Sequence, residues 1–266
     1  MGEVAKVWHY GLVAEMWAAG TRDTRELDFL LSAVESSGQP VLDVGCGTGR
    51  LLVPLREAGI DVDGADISAD MLAGCRTKLA KLNLKADLYE SPMDVLDLPR
   101  TYRVIYIADS FGLAGSRDLD EKTLRRACLL LEPGGVLIFN KEAPYALDDW
   151  PYWRKENRGG LPSEWPDKPN RRKAEDGSEY LSWLRETAID PLEQTYELEM
   201  RVQKRIDGEL EGEEVRKLAG SIYFRNELVA MLEKAGFSEV KVFGGYNAHP
   251  ATADDEEFVY LAVKAS

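Results

Sequence analysis

Ten residues constrain this chain more than any others. Val41-Leu42-Asp43-Val44 has the apolar density of a short buried strand, Pro40 stops whatever precedes it, and Gly45-Cys46-Gly47-Thr48-Gly49-Arg50 follows at once. Glycine adopts torsions and permits close approaches that a side chain forbids. Three glycines on alternate positions therefore predict a turn against which a ligand can lie. Asp66 ends a second apolar run, Ile60 to Ala65. Strand, glycine turn, helix, strand and acidic residue together describe a pocket for a nucleoside-bearing cofactor.

The rest of the chain extends that pattern. Apolar spacing of three and four predicts helices over Val4 to Ala19, Asp23 to Ser36, Arg50 to Ala58, Ser68 to Leu82, Leu119 to Leu131 and Asn226 to Ala235, with the Ser68 hydroxyl as a cap. Between them, strands are expected at Leu84 to Glu90, Val104 to Ala108, Val136 to Asn140 after the Pro133-Gly134-Gly135 turn, Val240 to Phe243 and Phe258 to Val263. Such alternation implies an α/β fold: a doubly wound, mostly parallel seven-stranded sheet with helices on both faces.

Between Lys141 and Ser221 the pattern changes. Trp150 to Gly177 is rich in Pro, Gly, Trp and charge and reads as an extended loop. Three strands follow, at Tyr180 to Thr187, Thr195 to Arg205 and Val215 to Phe224, with turns at Asp190-Pro191 and Asp207-Gly208. The expected organisation is a core of residues 1–140 and 222–266, with an N-terminal helical arm (1–38), and an antiparallel β cap of residues 141–221 inserted after the fifth strand.

Composition narrows the partners. A net charge of −14 over 266 residues opposes binding to nucleic acid or an anionic membrane surface. No run of apolar residues is long enough to span a membrane, and the first ten residues lack the basic start and apolar run of a secretion signal. Cys46, Cys75 and Cys128 are scattered and odd in number, which suits a reducing, cytoplasmic setting. No metal is expected, because no cluster of His, Cys and acids has ligand spacing.

The glycine spacing separates two cofactor classes. Dinucleotide sites use G-x-G-x-x-G/A, in which the last small residue lets helix and strand pack closely. Here that place falls on Arg50, and the glycines run G-x-G-x-G with Asp43 two residues ahead. This stretch resembles the first motif, D/E-x-G-x-G-x-G, of class I S-adenosylmethionine-dependent methyltransferases. Gly64-Ala65-Asp66-Ile67-Ser68 with Met71-Leu72, Leu131-Glu132-Pro133-Gly134-Gly135 and Glu233-Lys234-Ala235-Gly236-Phe237 match further landmarks in the same order. The resemblance covers about Pro40 to Asn140 and the C-terminal helix and strand pair.

The resemblance implies S-adenosyl-L-methionine as cofactor and assigns roles. Asp66 accepts hydrogen bonds from ribose hydroxyls, the backbone of Gly45, Cys46, Gly47 and Gly49 passes beside the methionine part, and Asp43 sits below the ammonium group. Ile67 and Met71 sandwich the adenine, and Met93 and Asp94 lie where the base is contacted. Asp109 and Ser110 lie where sulfonium and acceptor meet. Tyr10, in the arm, is a candidate for the cofactor carboxylate. Methyl transfer to a phenol or alcohol calls for a general base, for which Asp109, Glu142 and His249 are candidates, with His9 a further histidine in the arm.

Strand four ends Ile107-Ala108-Asp109-Ser110-Phe111 and lacks the Asn/Asp-Pro-Pro-Tyr signature of enzymes that methylate planar amides and nucleobases. With the acidic charge, this points to a small-molecule acceptor methylated at N or O. All six tryptophans lie in the arm (Trp8, Trp17) or the insert (Trp150, Trp153, Trp165, Trp183), and a basic run, Arg154 to Lys173, lies beside them. Both suit an aromatic or acidic acceptor, and both are also what a small cap and a solvated loop require. The chain is expected to be a monomer or homodimer. The alternatives are a nicotinamide-dependent oxidoreductase and a non-catalytic S-adenosylmethionine-binding protein.

Overall fold

Val41 to Val44 are buried at all four positions, as a strand covered on both faces must be. The computed structural model describes residues 9–20, 23–113, 115–147, 150–247 and 249–265. Along the chain run α1 (Leu12–Ala18), α2 (Leu27–Ser37), β1 (Val41–Val44), α3 (Leu52–Glu57), β2 (Val62–Asp66), α4 (Ala69–Lys81), β3 (Leu88–Glu90), β4 (Tyr102–Ile107), α5 (Arg117–Leu130), β5 (Leu131–Glu142), β6 (Asn170–Lys173), β7 (Glu179–Asp190), β8 (Thr195–Ile206), β9 (Glu209–Ser221), α6 (Arg225–Ala235), β10 (Phe237–Gly244) and β11 (Glu257–Lys264).

The chain divides into two units. One comprises Arg22–Phe111, Asp118–Leu147 and Tyr223–Ser266. It holds a seven-stranded sheet of order β3-β2-β1-β4-β5-β11-β10. Strands β1 to β5 are parallel, and β11 runs antiparallel to both β5 and β10. The fold is thus the expected α/β sheet. Leu30 and Val34 of α2, Leu52 of α3 and Leu72 of α4 pack on one face against Val41, Val104 and Ile138. Leu124 of α5 and Leu228 of α6 pack on the other, against Leu42, Ile105 and Phe139. Strand order reverses between β1 and β4, so their carboxyl ends open a crevice.

The other unit comprises Met1–Thr21, Gly112–Arg117 and Asp148–Ile222. Its sheet, β6-β7-β8-β9, is antiparallel throughout. Val13 and Met16 of α1 close over Tyr180, Met200, Val202 and Leu218 on one face of it. Of the expected arm (1–38), α1 groups with the cap sheet, while α2 packs with the core sheet.

Several expectations change in detail. The first helix begins at Leu12, and the expected start from Val4 through Trp8 lies outside the described residues. Residues Asp23 to Glu26 are not helical. Pro133-Gly134-Gly135 does not end a turn before a new strand: it lies within β5, where the register with β4 shifts, as an inserted bulge would produce. The supposed loop before the cap contains β6, giving four cap strands instead of three. Among the described residues no helix is long and apolar enough to cross a membrane.

Candidate functional site

The crevice is built from three loops. After β1, Gly45, Gly47 and Gly49 take φ of +74°, +53° and +78°, torsions that a side chain resists. Each glycine answers a different neighbour. A Cβ on Gly45 would collide with the Ser110 hydroxyl, and one on Gly49 would lie 2.7 Å from Cys75 Sγ. A Cβ on Gly47 would meet only Met71 Cε at 4.0 Å. The backbone is open to a ligand at that middle glycine.

Asp66 holds this turn from below. Its Oδ2 accepts the Gly47 N–H at 2.8 Å and its Oδ1 accepts the Ser68 N–H at 2.8 Å. Ser68 in turn caps α4 by accepting from Met71 N at 3.2 Å. Burial raises the Asp66 carboxyl above the usual carboxylate range, against these two bonds. Each carboxylate oxygen keeps a second lone pair, which leaves capacity for hydroxyl donors.

Asp43 is 3% exposed. Burial pushes its carboxyl up to about 7, while the Tyr106 hydroxyl and the Arg50 guanidinium favour the charged form. The hydroxyl brings no charge, and the guanidinium is already engaged. Arg50 Nη1 donates to Glu26 Oε1 at 2.6 Å and to the Asp23 carbonyl at 2.9 Å, and Nη2 donates to Asp109 Oδ2 at 2.7 Å. Asp43 is thus a buried carboxylate on β1, two residues ahead of the glycine turn, whose nearby guanidinium is committed to other acids.

Asp109, just past β4, is fastened from three sides. Besides Arg50, Asn140 Nδ2 donates to Asp109 Oδ1 at 2.8 Å, and the Asp109 N–H donates to Asn140 Oδ1 at 2.8 Å. Asn140 Nδ2 also reaches Glu257 Oε1 at 2.7 Å, which Arg25 Nη2 meets at 3.2 Å. The backbone of Asp109 is left-handed, with φ +55°. Ser110 donates to the Val44 carbonyl at 3.4 Å, so the β4 exit leans on the end of β1.

The structure thus brings Asp43, Gly45, Cys46, Gly47, Gly49, Asp66, Ile67, Met71, Met93, Asp94, Asp109 and Ser110 into one unit, on or just beyond β1, β2, β3 and β4. Met93 Cε would lie 3.8 Å from a Cβ on Gly45, so it belongs to the crevice wall. Ile67 and Asp94 are half-buried beside it. Cys46 is a buried free thiol. Glu142 is exposed at the end of β5, opposite Glu257 on β11. His249 lies in the β10–β11 loop with both ring nitrogens facing acceptors: Nδ1 is 2.9 Å from the Pro250 carbonyl and Nε2 3.5 Å from Asp255. Tyr10 and His9 are half-buried in the other unit, ahead of α1. Among the described residues no group of His, Cys and acids could hold a metal ion.

Glu26, Arg50, Tyr106, Asn140 and Glu257 belong to the site and were not among the expected residues. Only Arg50 carried a local signal, as the bulky residue where a dinucleotide turn needs a small one.

A methyltransferase-domain family model matches residues 41–135. A putative methyltransferase of Geobacillus sp. is 31% identical over 109 residues, covering 41% of this chain and 44% of that protein. The dTDP-3-amino-3,6-dideoxy-alpha-D-glucopyranose N,N-dimethyltransferase of Streptomyces fradiae is 32% identical over 138 residues, covering 51% and 48%. The chain thus spans under half the length of these curated relatives. Among solved structures, an S-adenosylmethionine-dependent methyltransferase from Clostridium acetobutylicum superposes with TM-score 0.73 at 18% identity, covering 92% of this chain and 93% of that one. A sugar N-methyltransferase from Streptoalloteichus sp. gives 0.71 at 17% identity, covering 100% of each.

Proposed function

We propose that the chain, whose residues 41–135 match a methyltransferase-domain model, is an S-adenosylmethionine-dependent methyltransferase acting on a small-molecule acceptor. One observation carries the reading: the buried Asp43 carboxylate, whose nearby guanidinium is committed to other acids, stands on β1 two residues ahead of a glycine turn that is open at Gly47. S-adenosylmethionine has an ammonium group to complete the first and an adenosyl part that needs the second. When bound, it supplies a methyl group already activated by a sulfonium, so the protein has mainly to align and to exclude water.

The residues divide that work. Asp66 takes the ribose hydroxyls with its remaining lone pairs, Met71 and Ile67 flank the base, and Met93 and Asp94 close its far side. Asp109 and Ser110 shape the acceptor side of the crevice. Both carboxylate oxygens of Asp109 are held by Arg50 and Asn140, which suits a rigid wall better than a proton carrier. Both nitrogens of His249 face acceptors, and Glu142 stands exposed at a strand end. Such a set favours an amine nitrogen, which needs only to arrive neutral, over a hydroxyl that must first lose a proton. The names of two relatives, an aminosugar N,N-dimethyltransferase and a sugar N-methyltransferase, lean the same way.

A nicotinamide cofactor fits less well, because Arg50 fills the small-residue position and is committed to Glu26 and Asp109. Calorimetry with S-adenosylhomocysteine and with NAD separates these readings. Binding of the first and not the second is expected, and the reverse would overturn the proposal. Transfer of labelled methyl from S-adenosylmethionine to a panel of amines and phenols then tests for turnover and separates an enzyme from a binding protein.

A further inference from the structure

The cap sheet holds a cation without an acid. Arg201 on β8 lies against two indoles, its guanidinium carbon 4.2 Å from the ring centre of Trp183 and 5.0 Å from that of Trp165, a ring that Arg185 also approaches at 4.4 Å. Register accounts for the first contact, because Trp183 on β7 is directly opposite Arg201. Trp165 comes from the segment ahead of β6.

The neighbouring charges are spoken for. Arg185, opposite Glu199 in the same ladder, donates to Glu199 Oε2 through Nε and Nη2 at 3.0 and 2.7 Å. Lys217 of β9 approaches the other Glu199 oxygen at 3.6 Å. Gln203, two residues beyond Arg201, donates to Glu213. No carboxylate among the described residues pairs with Arg201, and its Nε is shut off from water with no acceptor.

A guanidinium offers five donors in a fixed fork that matches a carboxylate or a phosphate. The two indole rings hold the guanidinium in place, and its remaining N–H donors offer the route for a partner. We propose that Arg201, walled by Trp165 and Trp183, is a binding site for the oxyanion of a small molecule, either a carboxylate or a phosphate monoester. The proposal stands apart from the methyl-transfer reading and survives its failure.

The test is calorimetry on the full chain with benzoate and phenyl phosphate as probes. At least one probe should bind, and Arg201→Met should weaken that binding by about tenfold to a hundredfold, the scale of lost charge-assisted hydrogen bonds. Arg201→Lys, which keeps the charge but not the fork, should recover part of the loss. Arg154→Ala, an exposed cation of the same unit, should change nothing. Tighter phenyl phosphate assigns the site to phosphates, and tighter benzoate assigns it to carboxylates. Should Arg201→Met not fold by circular dichroism, Trp165→Leu replaces it and should weaken binding severalfold. Silence from both probes, or equal affinity in wild type and the variant, overturns the proposal.

Discussion

Arg50 bridges two carboxylates of opposite exposure: Glu26, with 2% of its side chain exposed, at 2.6 Å, and Asp109, with 45% exposed, at 2.7 Å. The two bonds differ in what they stabilise. Removing the guanidinium leaves Glu26 buried and unpaired, a loss of about 3–5 kcal/mol. The Asp109 bond is screened by water and contributes about 1 kcal/mol or less. Arg50→Met should therefore destabilise the unliganded protein severely in urea denaturation, and Asp109→Asn only slightly.

Asp109→Asn should instead be felt in the crevice. Its carboxylate fixes the β4 exit through Arg50 and Asn140, and Ser110 next to it abuts Gly45. Amide exchange at residues 109–111 should quicken in Asp109→Asn while the global unfolding free energy stays within about 1 kcal/mol of wild type. Unchanged exchange would remove Asp109 from the role of a positioning residue.

The middle and first glycines should respond differently to alanine. Gly47→Ala incurs the cost of a left-handed side chain, about 1–2 kcal/mol, and its methyl points into open space. Stability should fall modestly, and S-adenosylhomocysteine binding should fall far more. Gly45→Ala adds a collision with Ser110 and should be the less stable of the two, with Ser110→Gly recovering part of the loss. Equal stability of the two alanine variants by denaturant midpoint would contradict this.

Much of this was readable in advance because it is local. The strand, the glycine turn, Asp66 at the end of β2 and the Ser68 cap are short-range features, each fixed by a few neighbouring residues. The polar clasp was not readable, because it joins Asn140 to Asp109 and Glu257 across 31 and 117 residues. Nothing around Asn140 marks it from a strand residue with solvent-facing polarity. Asp23 to Glu26 fit a helical pattern, yet they stay unwound where the Asp23 carbonyl and the Glu26 carboxylate meet Arg50. The bulge at Pro133 to Gly135 escaped for a related reason: a proline and two glycines signal a turn locally, and only pairing with β4 shows that the strand continues through them.

Asp66→Ala should lose twice. The Gly47 and Ser68 N–H groups lose their acceptor, which costs about 1–3 kcal/mol for each group that stays buried. The ribose also loses its partner, so S-adenosylhomocysteine affinity should drop by about 1.5–3 kcal/mol, the range of hydrogen bonds to a charged group. Calorimetry on a variant that still shows cooperative unfolding checks this, and unchanged affinity would remove Asp66 from the cofactor site.

The pH dependence of Asp43 supplies the remaining test, and its sign is fixed by linkage. The folded carboxyl titrates at about 7, above its ordinary value of 3.8. Between those two values the folded state holds a proton that the unfolded chain has released, so this group makes the unliganded protein less stable as pH rises from about 4 to 7. Above 7 both states are ionised, and its contribution levels off at its least favourable. A bound ammonium reverses the preference by favouring the charged carboxylate. Affinity for S-adenosylhomocysteine should therefore rise with pH up to about 7 and then flatten, while unliganded stability falls over the same range. In Asp43→Asn both slopes should shrink together. If the affinity slope survives in that variant, the ammonium rests on another group and Asp43 is only a buried acid.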